Sequence, residues 1–269
     1  MILQKNKKYL QVALNSTLDE AREIIFQLPT SERILIEAGT PLIKEFGREA
    51  ILKLKEWSIE RILGPQKFKK GEKIDLISLI KLLSEQKKKE GKIDLKSFLA
   101  KGSKNLSFPF EPYIVADLKC MDLGKREAEI AAGTGASAAT CPGLAPIETI
   151  DEFIKSCQTA EIDSMVDMMN VENPLLILRK LKKLPNVVIL HRGVDETKKN
   201  KEKQIPWYQI QQVKGNYNDI LVAIAGGDAI KEVRSAVFND ADIVVMWEAF
   251  YRSTEKTAEL AKDFLEKIR

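Results

Sequence analysis

The stretch YIVADLKCMD (residues 113–122) places a cluster of charged side chains directly after an apolar run. YIVA is typical of a buried strand, and DLKCMD follows it with the carboxylates of Asp117 and Asp122 and the ammonium group of Lys119. Like charges repel each other and buried charges lose hydration, so such a cluster is costly unless a ligand, a metal or a reaction uses it. A solvated loop that neutralises its own charges is the alternative. The cluster therefore marks a candidate catalytic site at the end of a strand.

The pattern of a short apolar strand followed by an amphipathic stretch recurs along the chain, which is typical of βα units and a parallel sheet. The predicted strands are YLQVAL (9–14), RILIEAG (33–39), YIVADL (113–118), ASAATC (136–141), SMVDMM (164–169), NVVILH (186–191), DILVAIAGG (219–227) and ADIVVM (241–246). Predicted helices include 18–28, 124–133, 173–184 and 253–268, the last two with Asn173 and Ser253 as N-cap residues. Eight such units predict an α/β fold, a closed (β/α)8 TIM barrel forming one domain over residues 1–269, with its active site at the carboxyl ends of the strands.

Residues 58–111 interrupt this alternation between the second helix and the third strand, and we predict that they form an inserted basic helical subdomain. KIDLISLIKLL (73–83) and KIDLKSFLAKG (92–102) both read as short amphipathic helices, and two copies are too few for a repeat array. Residues 61–104 contain thirteen Lys or Arg against five Asp or Glu, whereas the net charge of the whole chain is +4. An acidic partner or a phosphorylated substrate fits this segment. Nucleic acid is not the expected partner, because few aromatic residues are interleaved with the basic ones.

Polar and ionisable residues stand at the ends of the predicted strands. In chain order they are Asn15, Glu37, Asp117, Lys119, Asp122, Asp167, His191, Gly226, Gly227, Trp247 and Glu248. A parallel strand that is buried on both faces has little reason to end repeatedly in such groups. His191 is the only histidine in the chain, and at a barrel strand end an acid/base role competes with the structural role that a lone histidine usually has.

The composition excludes several classes of protein. No stretch approaches ~18 consecutive apolar residues, and the opening MILQKNKKYLQVALN does not resemble an export signal. We therefore expect a cytoplasmic protein that does not contact a membrane. Cys120, Cys141 and Cys157 show neither CxxC nor Cys/His ligand spacing, and their odd number argues against a disulfide framework. Inert thiols are expected.

Several segments together resemble one family. They are LQVALN, IEAGTPLIKEFG, YIVADLKCMDLGKREAEIAAGTGA, MVDMMNVENPL, ILHRGVDE and VAIAGGDA. They look like 3-hexulose-6-phosphate synthase, a member of the orotidine-5'-phosphate decarboxylase suprafamily of (β/α)8 barrels. The resemblance covers nearly all of the chain except the insertion, and IEAGTPLIK, VADLKCMD and HRGVD fall in family order at strand ends.

The resemblance implies a set of roles. A magnesium ion, held by Glu37 and Asp117, would bind the enediolate of a ketose phosphate, which suits a set of hard oxygen ligands. Lys119 would stabilise negative charge on the substrate oxygen, and His191 would move protons. Asp122 would reach into the neighbouring subunit's site in a homodimer. The implied reaction joins formaldehyde to ribulose 5-phosphate or runs in reverse, so the implied ligand is a small phosphorylated molecule.

The sequence departs from the family at two substrate-binding positions. The family usually has aspartate at the position of Asn15, and asparagine keeps the shape but loses the charge. Relatives end the eighth strand in a Gly-Arg pair that holds phosphate, whereas Trp247 and Glu248 stand here and are expected to crowd and repel a phosphate. Backbone amides of Gly226 and Gly227 are expected to bind substrate. Arg192 is the compensating cation that we predict, with Arg252 or lysines of the insertion as alternatives.

Two further hypotheses stay open from the sequence. One keeps the enediolate chemistry but uses a different substrate, as a related decarboxylase or aldolase would. The other is a non-catalytic barrel whose basic insertion binds an acidic partner or nucleic acid. The retained DLKCMD cluster favours the catalytic interpretations.

Overall fold

Eight parallel strands close into a barrel in chain order, and the first strand pairs with the eighth. The computed structural model describes residues 2–63, 110–200, 202, 207–226, 235–252 and 256–268. The strands are β1 (Tyr9–Leu14), β2 (Ile34–Ala38), β3 (Tyr113–Ala116), β4 (Ala138–Pro142), β5 (Asp163–Asp167), β6 (Val187–His191), β7 (Leu221–Ala225) and β8 (Ile243–Met246). The first and last residues of each strand lie within two residues of the predicted bounds. The predicted (β/α)8 barrel is confirmed.

Helices follow the strands and surround the barrel. In the described part of the chain they are α1 (Leu18–Gln27), α2 (Thr40–Phe46), α3 (Arg48–Leu63), α4 (Gly124–Gly133), α5 (Ile147–Thr159), α6 (Pro174–Leu178), α7 (Val194–Lys199), α8 (Trp207–Asn216), α9 (Glu248–Arg252) and α10 (Thr257–Lys267), with a further helical turn at 235–238.

Helix α6 is shorter than the sequence predicts. Its N-cap is Asn173 as expected, since the side chain accepts a hydrogen bond from the backbone N–H of Leu175. The prediction that the helix continues to residue 184 is wrong, because turns replace the helix after Leu178. In one of them the backbone N–H of Lys180 donates to Ile177 O, three residues earlier. The last helix begins at Thr257, and the predicted cap Ser253 lies outside the described residues.

Residues along each strand alternate between two apolar cores. One core, which includes Tyr9, Ala13, Leu35, Val115 and Met165, fills the barrel interior, and the other lies between the strands and the helices. Because successive side chains of a strand face opposite sides, the residue two positions after the last inward apolar side chain also faces the barrel axis. This alternation brings six residues to the carboxyl mouth: Asn15, Glu37, Asp117, Asp167, His191 and Trp247.

The predicted insertion falls largely outside the described residues. Residues 58–63 are the last turns of α3, and residues 64–109 are not described. The helical subdomain and its basic surface therefore stay predictions. No helix in the described ranges is long and apolar enough to cross a membrane. Cys120, Cys141 and Cys157 are buried and free, as expected for inert thiols.

Candidate active site

A cavity of about 600 Å³ opens at the carboxyl end of the barrel. Its floor is apolar, with Ala13, Ile189 and Val245 among the lining residues. The ionisable groups stand above that floor, at the ends of β2, β3, β5 and β6. This volume lies within the range of ~300–1,000 Å³ that is typical of small-molecule sites. The cavity is therefore the candidate active site.

Lys119 lies between two aspartates in this cavity. Its Nζ donates hydrogen bonds to Asp167 Oδ2 at 2.6 Å and to Asp117 Oδ1 at 3.1 Å. Its backbone has a φ of 50°, a left-handed conformation that costs about 1–3 kcal/mol in a residue other than glycine. The backbone N–H of Lys119 is held by Thr140 Oγ1 at 3.1 Å. The ammonium group is thus fixed in place, and although burial favours loss of its proton, the two aspartates hold its pKa above the usual value.

Asp167 connects Lys119 to the only histidine of the chain. His191 Nδ1 lies 2.8 Å from Asp167 Oδ2, and Asp167 Oδ1 accepts a hydrogen bond from Met169 N–H at 2.9 Å. Burial opposes ionisation of Asp167, but the charges of His191 and Lys119 outweigh it and hold the carboxyl pKa well below its usual range. An ionised Asp167 requires Nδ1 of His191 to carry a proton, which leaves Nε2 as the position that can accept or donate one.

Two threonines hold Asp117. Thr140 Oγ1 lies 2.7 Å from Asp117 Oδ1, and Thr40 Oγ1 lies 2.8 Å from Asp117 Oδ2. Thr40 is the first residue of α2 and Thr140 faces inward from β4. Neither threonine is predicted from the sequence to lie at the site. A hydroxyl that fixes each carboxylate oxygen restricts the orientation of the Asp117 side chain.

Glu37 is a buried carboxyl beside Asp117. Burial and the negative charge of Asp117 raise its pKa to about 7, although Gln11 Nε2 donates a short hydrogen bond to it. The Oε1 atom of Gln11 is buried and has no hydrogen-bond partner in the described part of the structure. Glu37 and Asp117 therefore form a carboxylate pair on neighbouring strands whose charge is incompletely balanced.

This carboxylate pair fits Mg²⁺ in its chemistry. Magnesium prefers oxygen ligands and usually takes one or two carboxylates, with water or substrate completing its shell. Among the described residues, no group of three or more His, Cys, Asp or Glu side chains is arranged as a complete protein cage for a metal. Glu37 and Asp117 could thus hold a cation that also contacts a ligand, which is the role that the family resemblance implies for them.

Three predicted site residues are placed elsewhere or not described. Asp122 is exposed and does not line the cavity of its own chain. Arg192 follows His191 directly and therefore faces the helix layer, where its guanidinium donates to Asn200 O at 2.8 Å. The structure thus does not bring Arg192 to the cavity, contrary to the prediction. Gly227 lies outside the described residues.

Two other predicted substrate-binding residues do line the cavity. Gly226 has a φ of 98°, and a Cβ there would lie 2.0 Å from Arg192 O, so the backbone requires glycine. The Asn15 side chain occupies the space beside Gly39, where a Cβ would lie 1.7 Å from Asn15 Oδ1. The backbone N–H of Asn15 donates to the hydroxyl of Tyr251 at 3.1 Å. Asn15 is thereby fixed at the rim.

Trp247 and Glu248 line the cavity, as the sequence predicts, but the surroundings of Glu248 differ from the expectation. Its carboxylate forms an ion pair with Arg252 and lies 3.6 Å from Lys198 Nζ. The expected repulsion of an anion is therefore offset by Arg252, which the sequence offered as an alternative compensating cation, and by Lys198, which it did not. Trp247 packs edge-to-face on Tyr251, with ring centroids 6.2 Å apart.

The fold and the site define a (β/α)8-barrel protein with a charged site at the carboxyl ends of its strands. The chain belongs to the Orotidine 5'-phosphate decarboxylase / HUMPS family, which residues 102–262 match. The Bifunctional enzyme Fae/Hps of Methanosphaera stadtmanae is 35% identical over 265 residues, covering 97% of this chain and 52% of the relative. The Bifunctional enzyme Fae/Hps of Archaeoglobus fulgidus is 32% identical over 258 residues, covering 94% of this chain and 51% of the relative. The chain thus spans about half the length of these relatives.

Solved structures share the fold. The 3-hexulose-6-phosphate synthase of Salmonella typhimurium superposes with a TM-score of 0.68 at 20% identity, covering 97% of this chain and 98% of that one. KGPDC from Streptococcus mutans gives a TM-score of 0.63 at 19% identity and covers 98% of each chain. At these identities the likeness establishes the fold alone.

The Asp167 carboxylate is predicted to control the protonation of His191. Burial lowers the pKa of His191, and the charge and hydrogen bond of Asp167 reverse this and raise it above the usual value. In Asp167→Asn we expect the pKa of His191 to fall below the wild-type value, because the opposing charge is lost while burial persists. An NMR titration reads this directly, since the chain has a single histidine.

Asp195→Asn is the matched control for this titration, because Asp195 lies four residues after His191 and does not line the cavity. It should leave the pKa of His191 near the wild-type value. An unchanged or higher pKa in folded Asp167→Asn protein would contradict the assigned contact.

Proposed function

We propose that this chain catalyses the magnesium-dependent joining of formaldehyde to ribulose 5-phosphate, and the reverse cleavage, as a 3-hexulose-6-phosphate synthase. The observation that carries the proposal is the fixed array in which Asp167 holds both Lys119 and His191 at the barrel mouth. Such an array places a cation for a developing oxyanion next to a group that transfers protons. The name of the Fae/Hps relatives supports the same proposal.

The side chains of this array have complementary tasks in the proposed reaction. The Nε2 atom of neutral His191 takes a proton from C1 of the ketose, and the electron pair left behind forms an enediolate. C1 then attacks the carbon of formaldehyde, whose oxygen becomes an alkoxide, and the alkoxide takes the proton back from Nε2 of His191. The Lys119 ammonium group stabilises the negative oxygen throughout, and Asp167 keeps both groups in place. Each such contribution is typically ~100-fold or more in rate.

Glu37 and Asp117 are the residues that would hold the magnesium ion. Burial and then the negative charge of Asp117 raise the pKa of Glu37, and a bound cation would favour the ionised form of this carboxyl. A bound magnesium ion would supply Lewis-acid stabilisation of the ketose oxygens. Gln11 and the two threonines would orient the two carboxylates towards it.

Enediolate chemistry on a different substrate is the second candidate. The observation that favours it is the presence of Trp247 and Glu248 at the cavity wall, since an indole and a carboxylate are unusual surroundings for a phosphate. A related decarboxylase or aldolase that acts on a different substrate would use the same Lys119 and His191. The two candidates differ in whether formaldehyde is consumed.

Purified protein incubated with ribulose 5-phosphate, formaldehyde and magnesium is expected to consume formaldehyde. Lys119→Ala should lower kcat by about 100-fold or more, because the oxyanion loses its cation. Lys125→Ala is the control, since that lysine is exposed and pairs only loosely with Glu129 at 3.9 Å. Folded wild-type protein that leaves formaldehyde untouched would exclude this substrate pair, and full activity in Lys119→Ala would exclude the mechanism.

A homodimer is part of the proposal. Asp122 is exposed, and its neighbours Met121 and Leu123 are 52% and 64% exposed, which is unusual for large apolar side chains beside a site. Leu144, on the next strand-to-helix loop, is 55% exposed. This apolar rim fits a second copy of the chain whose own site would receive Asp122.

Leu123→Lys is expected to shift the protein from dimer towards monomer in sedimentation analysis, because a charge would be buried in the interface. Leu184→Lys is the matched control, since Leu184 is 39% exposed and lies near Asn186 at the amino end of β6, away from the mouth. A wild-type monomer at assay concentration, or a Leu123→Lys variant that remains dimeric, would refute this interface.

A further inference from the structure

Three charged side chains form a bridge across the cavity wall between β6 and β8. Glu248 is the first residue of α9, and its carboxylate pairs with Arg252 one turn later. The same carboxylate lies 3.6 Å from the Nζ of Lys198, which comes from α7. We call Lys198, Glu248 and Arg252 the ion bridge. All three residues line the cavity.

The ion bridge differs from an ordinary surface ion pair. Exposed pairs one helical turn apart are common and contribute little. Here the carboxylate is only 14% exposed and also approaches a lysine of a different helix. The side chain of Lys198 is 57% exposed and that of Arg252 is 71% exposed. Their remaining hydrogen-bond donors are therefore accessible to a ligand. The bridge thus presents positive charge to the cavity.

The cations of the ion bridge are the ones available for an anionic ligand. Among the described residues that line the cavity, the lysines and arginines are Lys119, Lys198 and Arg252. Lys119 is occupied by Asp117 and Asp167. Arg192 faces the helix layer. An anionic group at this wall would therefore meet Lys198 and Arg252.

Trp247 adds one further donor at this wall. Its Nε1 atom is buried and has no hydrogen-bond partner in the described residues. An indole N–H can only donate, so a ligand oxygen is a suitable acceptor for it. The wall that the sequence predicts to exclude an anion therefore carries two cations and an unpaired donor.

We propose that Lys198 and Arg252 bind the phosphate of the substrate, and that Glu248 pairs with both cations in the unliganded cavity and competes with the phosphate for them. The identity of the ligand rests on the proposed function. A phosphate dianion carries more charge than a carboxylate and matches the guanidinium fork, so it competes effectively for both cations. Glu248 lowers affinity by this competition, and its removal should strengthen phosphate binding.

Calorimetric titration of the full chain, with magnesium present, tests this assignment. Lys198→Ala and Arg252→Ala should each weaken binding of ribulose 5-phosphate by about tenfold, as expected for loss of one partly exposed charge contact. Glu248→Gln should tighten it by a similar factor. Unphosphorylated ribulose should bind all three variants as it binds the wild type, and inorganic phosphate should compete only with the phosphorylated ligand.

Lys199→Ala is the matched control, since Lys199 is the next residue of α7 and does not line the cavity. It should bind ribulose 5-phosphate like the wild type. The opposite direction expected for Glu248→Gln guards against misfolding, because a damaged site would not bind more tightly. Weaker binding in Glu248→Gln, or unchanged binding in Lys198→Ala and Arg252→Ala, overturns the proposal.

Failure of this inference is distinguishable from failure of the proposed function. If formaldehyde is consumed while Lys198→Ala and Arg252→Ala retain wild-type affinity, the phosphate assignment is wrong and the reaction stands. If the affinities change as expected but no formaldehyde is consumed, the phosphate assignment stands and the proposed reaction is wrong.

Discussion

The convergence of three carboxylates on one buried end of a barrel is the constraint on which the rest of the site depends. The three carboxylates lie at the carboxyl ends of β2, β3 and β5 and belong to Glu37, Asp117 and Asp167. Each of these residues is less than a tenth exposed. Lys119 and His191 are the basic groups beside these carboxylates among the described lining residues, and both are bound by Asp167. Three carboxylates thus face two basic groups, and burial together with the negative charge of Asp117 raises the pKa of Glu37.

This imbalance is informative because folding alone would select against it. Replacing a buried charged group with an apolar side chain of similar volume is often neutral or stabilising. The chain also holds Lys119 in a left-handed backbone conformation and fixes Asp117 with two hydroxyl groups. Strain and incomplete neutralisation at one place favour a ligand-binding role over a structural one. A divalent cation would remove the imbalance between Glu37 and Asp117.

The sequence predicted the barrel and most of the charged mouth because both follow from alternation along strands. Asn15, Glu37, Asp117 and His191 each lie two positions after an inward apolar residue, and that spacing is visible without a structure. By the same spacing Arg192 faces the side of β6 opposite to His191, so it lies in the helix layer and not in the cavity, contrary to the prediction.

Other features depend on which strands lie side by side and how they are aligned. Asp167 was recognised as a strand end, but its contacts with Lys119 and His191 require closure of the barrel to bring three strands together. Thr40 and Thr140 are ordinary threonines until the register places them on Asp117. Likewise, the sequence offered Arg252 as one alternative cation near Glu248, but the approach of Lys198 from α7 depends on how the helices pack and could not be read from the sequence.

Titration of the chain with Mn²⁺, followed by electron paramagnetic resonance, tests the central claim that Glu37 and Asp117 share a cation. One bound ion per chain is predicted, displaced by Mg²⁺, with binding lost in both Glu37→Gln and Asp117→Asn and kept in Asp122→Asn, whose carboxylate is outside the cavity of its own chain. Absence of binding in the folded wild-type chain, or binding that survives both substitutions, would contradict the claim.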